Sequence, residues 1–108
     1  MNFDFKNIFE QFKKVQSEME AIKSELEHKT VIGESGGGMV IVEMSGNQKL
    51  RKINISDELM NTNDKSMISD LIVAAVNNAF KQASDLSQSE LGKLQNMMPN
   101  IPGLNFNL

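Results

Sequence analysis

The chain has no cysteine, tryptophan or tyrosine, a single histidine and only two prolines in 108 residues. Without cysteine, neither a disulfide framework nor a thiolate metal site can form. His28 stands alone with no ligand-spaced cluster around it, so no metal or cofactor is expected. No Ser/His/Asp or Cys/His constellation is available for nucleophilic catalysis, and an enzyme is not expected. No apolar run approaches the roughly 18 residues that a membrane span requires. The opening segment MNFDFKNIFEQF mixes acids among its apolar residues and lacks a signal-peptide layout, so a soluble intracellular protein is expected. Positive charge is scarce as well. A formal net charge of −3 argues against a polybasic nucleic-acid arm and leaves room only for local basic patches. The aromatics are six phenylalanines, four of them in the first twelve residues, which is no base-stacking platform.

What is present is mostly helical pattern. From Asp4 to His28 the apolar residues Phe5, Ile8, Phe12, Val15, Met19, Ile22 and Leu26 recur at alternating spacings of three and four, with Phe9 widening the seam. A helix of that span is a rod of roughly 37 Å at 1.5 Å per residue. This is longer than a small domain needs, so the rod either projects or lies along a partner helix. Off the seam, Lys6, Lys13, Lys14 and Lys23 alternate with Glu10, Glu18, Glu20 and Glu25, as on a solvated face. Lys13 and Lys14 form its one locally basic spot.

Between Val31 and Ile55 the pattern changes to strand, and five of the seven glycines fall there. The spacing predicts a three-stranded antiparallel meander with strands over 30–35, 39–45 and 49–55. In the middle strand Val40, Val42 and Met44 take one face. Met39 and Ile41 on the other face suggest that both sides are covered. Gly46-Asn47 is a candidate two-residue hairpin turn. Gly36-Gly37-Gly38 joins two strands and is followed by no Lys-Ser/Thr, which excludes a phosphate loop in favour of a tight connection. Lys49, Arg51 and Lys52 are the densest basic cluster, with alternation placing Lys49 and Arg51 on one side and Lys52 on the other. Ser56 opens a short capped turn, and Asn61 to Asp64 start a second long helix. Its run from Leu71 to Val76 is apolar nearly all round, so this helix is expected to be the more buried. Residues 1–96 are read as one α+β domain (long helix, meander, long helix) and 97–108, with Pro99, Pro102 and Gly103, as a disordered tail. Val40, Val42, Leu71, Ile72 and Val76 are the core candidates.

Taken together, these motifs resemble the YbaB/EbfC family of bacterial nucleoid-associated proteins. The resemblance runs through Gly33 to Gly38 ahead of Val40 to Val42, then Glu58-Leu59, then Asp64 through Ala79, and covers about Phe9 to Leu86. It departs from the family pattern at Ile41, where the strand often carries lysine, at Ser56-Asp57, and at Asn78. The resemblance implies a tweezer-like homodimer that binds duplex DNA with low sequence selectivity at the nucleoid, in the cytoplasm, without enzymatic activity or cofactor. Val40, Val42, Leu71, Ile72 and Val76 then become candidates for dimer contact as well as core. Local charge selects Lys13, Lys14, Lys49, Arg51 and Lys52 as candidate DNA contacts. The exposed helical seam suggests an alternative, a structural or adaptor dimer that captures another protein through its N-terminal helix.

Overall fold

The computed structural model describes residues 4–97. In chain order it contains α1 (Phe5–His28), β1 (Thr30–Ser35), a 3₁₀ turn (Gly36–Gly38), β2 (Val40–Ser45) and β3 (Leu50–Ile55). A single helical turn, α2 (Asp57–Met60), then leads to α3 (Lys65–Gly92) and a closing 3₁₀ turn (Lys93–Met97). The strands form one antiparallel sheet in the order β1-β2-β3, so the fold is α+β with a helix on each side of a meander in sequence. The expected tail, 97–108, lies outside the described residues except for Met97, which ends the closing turn.

Each helix starts where a short polar side chain can satisfy an orphan amide. The Asp4 carboxylate accepts from the Asn7 N–H, the Ser56 hydroxyl from Leu59, and the Asp64 carboxylate from Met67. Between β1 and β2 the chain reverses through three glycines with φ of 60°, 65° and 92°, a left-handed run open to residues without a Cβ. The β2–β3 connection differs from the expected two-residue turn. Gln48 N–H donates to the Ser45 carbonyl and Ser45 N–H to the Lys49 carbonyl, and the left-handed residue is Gln48, with φ 66°. This is a three-residue loop, and it places the register irregularity beside Met44, which pairs with Leu50. Ser45 holds the loop from within, accepting from the Lys49 N–H at 3.0 Å.

The core lies between one face of the sheet and α3. Val40, Val42 and Met44 are fully buried against Ala75, Ala79 and Ala83. Leu71, Ile72 and Val76 are half-buried at the edges of that cluster. The helix surface against the sheet is therefore built of alanine at every fourth position, and it lets β1 come very close. A Cβ on Gly33 would stand 2.4 Å from the Ala75 carbonyl oxygen and 2.5 Å from the Ala79 amide nitrogen. α3 is the more buried of the two long helices, as expected, yet it is not covered all round. Val73 is 55% exposed, and Phe80 and Met67 are also exposed. The outer face of the sheet is only partly covered: Ile41 is half-buried and Ile32 is exposed.

Among the described residues, α1 packs on the body near its C-terminal end. There Ile22 and Leu26 pack with Leu94, flanked by Leu86 and Leu91. The Gly46 N–H donates to the carbonyls of Leu26 and Lys29. The remainder projects as an arm, and the molecule measures 73 × 24 × 16 Å. Its radius of gyration of 20.5 Å far exceeds the roughly 13 Å of a compact chain of this length.

The close approach at Gly33 yields a direct test. Gly33→Ala should destabilise the protein by about 3 kcal/mol, because both clashing atoms are helix backbone that cannot give way locally. Gly92→Ala, with nothing within 4 Å of the new methyl group, should instead stabilise by up to about 1 kcal/mol through helix propensity. Urea unfolding of the two variants beside the parent checks both signs.

Candidate nucleic-acid interface

The five basic candidates do not converge on one spot of the single chain. Lys13 and Lys14 lie halfway along the projecting arm, both exposed. Lys13 Nζ sits 4.9 Å from the centre of the Phe9 ring, a cation–π contact that positions the ammonium without neutralising it. Lys49 and Arg51 lie roughly 20 Å away along the helix axis, at the C-terminal end of α1. They have structural partners there: Lys49 Nζ is 3.8 Å from the Glu27 carboxylate, and the Arg51 guanidinium donates to the Glu27 carbonyl oxygen. Two cations thus close the end of the helix where the backbone dipole is negative. Lys52 is exposed on the outer face of the sheet, in register with Glu43 on β2.

Two further cations without a sequence signal of their own, Lys29 and Lys93, are tied into an ion cluster at the arm's root. Glu90, buried near the end of α3, receives Lys29 at 3.3 Å and Lys93 at 3.2 Å, and Lys29 also reaches Glu25 at 3.3 Å. Hydrogen bonds from Lys93 and Lys29 hold the Glu90 carboxyl below its ordinary range. The hydrogen bonds that Lys29 donates to Glu25 and Glu90 hold its ammonium above its ordinary range. Glu90 and Lys29 are separated by 61 residues, so no local pattern could have linked them. His28 is satisfied locally, with Nδ1 2.8 Å from the Ser24 carbonyl oxygen.

Among the described residues no group of three or more His, Cys, Asp or Glu side chains could hold a metal ion. No described helix is long and apolar enough to cross a membrane. Of the five basic candidates, those left projecting are the doublet on the arm and a lysine on the outer sheet face. Such an arrangement can meet the phosphates of a backbone at separated points, and it offers no concave chemistry.

Comparison with known proteins identifies a DNA-binding family. The sequence profile of the YbaB/EbfC DNA-binding family matches residues 1–98. A nucleoid-associated protein of Francisella philomiragia is 43% identical over 111 aligned positions, covering 98% of this chain and 97% of its own. One from Desulfotalea psychrophila is 41% identical over 101 positions, covering 94% of each chain. The crystal structure of an uncharacterised protein from Helicobacter pylori superposes with a TM-score of 0.74 at 22% identity, over 91% of this chain and all of the other, which identifies the fold.

The ion cluster sets a pH window for attachment of the arm. Because the Glu90 pKa is depressed on folding, its contribution is present above the ordinary carboxylate range and disappears as pH falls through the depressed value. Because the Lys29 pKa is raised, its contribution is present below the ordinary lysine range and is lost as pH rises through the raised value. Glu90→Gln should lower the melting temperature throughout the neutral range. The difference from the parent should close in acid, where Glu90 is itself uncharged, and thermal melts across pH measure it.

Proposed function

The chain belongs to the YbaB/EbfC DNA-binding family, and we propose that it acts as a homodimeric nucleoid-associated protein of the cytoplasm. It binds duplex DNA with little sequence selectivity and thereby affects nucleoid organisation or gene expression. The observation that carries this reading is the family match across 1–98, the whole described fold. No enzymatic activity and no cofactor form part of it.

Dimerisation is supported by the apolar surface that one chain leaves open. Ile55, Met60, Ile68, Ile72 and Val73 line a groove between the end of β3, α2 and α3. Leu50 and Ile53 continue apolar surface along β3, the strand that α3 covers least. A second copy related by a two-fold axis would cover this surface and present both arms on one body.

Low selectivity is supported by the donors available. Reading a base pair in the major groove most often uses arginine on guanine. The chain's single arginine, Arg51, is engaged by the Glu27 carbonyl. Lys13, Lys14 and Lys52 remain as point charges, suited to phosphate. Lys49 and Arg51 contribute field at the arm's root while holding the helix end. With a net charge of −3 on each chain, attraction must come from these local clusters rather than from the whole molecule.

A second reading, capture of another protein, is favoured by one observation: Phe9 and Phe12 on the arm are exposed. It predicts that any DNA binding is indifferent to the arm lysines.

Mobility-shift titrations at increasing salt separate the two. In a dimer, Lys13→Gln with Lys14→Gln removes up to four phosphate contacts, so the slope of log K against log salt should flatten by about 3 to 4. An unchanged slope would reject the arm as the DNA contact. Val73→Glu should shift the mass measured by light scattering from two chains toward one, since it places a charge within the proposed contact surface.

A further inference from the structure

One acid at the arm's root stands where a helix tolerates it least. Glu27 lies in the last turn of α1, whose open carbonyls already carry partial negative charge, so its carboxylate is unfavourable to the helix itself. What it meets instead is the basic cluster at the start of β3. Lys49 Nζ is 3.8 Å from the Glu27 carboxylate, and the Arg51 guanidinium donates to the Glu27 carbonyl oxygen. Two of the three cations in the chain's densest basic cluster are thus held against one glutamate, one by its side chain and one by its backbone.

The backbone brings this acid and Lys49 together. The Gly46 N–H donates to the Leu26 and Lys29 carbonyls, and the Lys49 N–H donates to the Ser45 hydroxyl. The loop that carries Lys49 is therefore pinned to the end of the helix that carries Glu27. Neither side chain is enclosed, however: Lys49 is 67% exposed and Glu27 51%. An ion pair so open to water is weak, and a phosphate can take the ammonium from the carboxylate by rotation of two side chains alone. The roughly 20 Å between this root and the Lys13–Lys14 doublet equals about six base-pair steps at 3.4 Å each. One duplex laid along the arm would bring phosphate to both places.

We propose that Glu27 is an internal competitor of nucleic-acid phosphate for Lys49, an autoinhibitory contact that withholds part of the basic cluster and keeps affinity low. The inference rests on the DNA-binding reading above and adds to it a residue that opposes binding. The carboxylate presents to the ammonium what a phosphate would present, an anionic oxygen, and its tether gives it a high effective concentration. Arg51 is held differently, by a backbone carbonyl that no change of the Glu27 side chain removes, so relief at Glu27 releases Lys49 alone. While Lys49 stays on Glu27 it displaces no counterion from DNA, so the competitor also flattens the response of binding to salt.

Mobility shifts of the full chain on a mixed-sequence duplex, titrated across salt, test this. Glu27→Gln should raise the association constant at low salt at least about three-fold over the parent, and steepen the slope of log K against log salt by up to about 1.8 for the two copies of a dimer. The variant keeps the carbonyl that Arg51 uses and relieves an acid at a helix C-terminus, so it remains folded. Glu20→Gln, at an exposed position two turns earlier on the same side of α1, removes the same charge away from Lys49 and measures the general effect of charge. In a Lys49→Gln background the advantage of Glu27→Gln over Glu20→Gln should vanish. Equal binding by Glu27→Gln and Glu20→Gln, or an advantage that survives Lys49→Gln, would overturn the proposal and leave the DNA-binding reading in place. A parent chain that shifts no duplex at any salt would remove that reading, and the proposal with it.

Discussion

The absence of a side chain at Gly33 sets the spacing of the whole body. β1 lies against α3 so closely that the helix backbone at Ala75 and Ala79 occupies the place where a Cβ would be. That approach works only because both surfaces are minimal, glycine on the strand and alanine at every fourth position on the helix. Once β1 is seated, β2 follows by register and brings Val40, Val42 and Met44 onto the same helix face. The Ser35 hydroxyl then donates to the Leu71 carbonyl, and the Asn78 side chain accepts from the Glu34 amide. Both tie the outer strand to the helix. β3 is left with little of α3 to pack on, which is why apolar surface remains open on that side.

The second constraint is the root of the arm. A long helix held at one end needs a stiff attachment, and here three kinds of contact coincide. The Gly46 amide bonds to the last carbonyls of α1, Arg51 and Lys49 engage Glu27, and Lys29 reaches across to Glu90 on α3. The Ile22–Leu26–Leu94 cluster fills the space beneath. The basic strand cluster thus serves the fold as well as any partner. Its charge lies at the arm's base, while the lysines best placed to reach outward are farther along.

Much of this architecture is legible in the sequence because it rests on local periodicity and on backbone punctuation. The heptad spacing of α1, the alternation of β2, the glycine triplet and the caps at Asp4, Ser56 and Asp64 are all read within a few residues. The β2–β3 loop misleads because Gly46 looks like a turn glycine. It is instead required to be small by the Leu26 backbone, 2.8 Å from where its Cβ would lie, and Gln48 takes the left-handed conformation. The exposure of Val73 is hidden by a composition that is apolar on every side, since periodicity cannot say which side meets the sheet and which is left open. The Glu90–Lys29 link has no sequence signature at all. Among the candidate contacts, charge density picks out Lys49 and Arg51 but cannot show that Glu27 already engages them.

The arm also governs how the particle moves through water. With one dimension about three times the next, the chain meets far more friction than a sphere of equal mass. A column calibrated with globular standards will read its mass too high, and a sedimentation coefficient taken alone will read it too low. Two chains joined at the body, each with such an arm, would widen both discrepancies. The ratio of measured to spherical drag therefore reports on whether the arms splay or close, with no ligand needed.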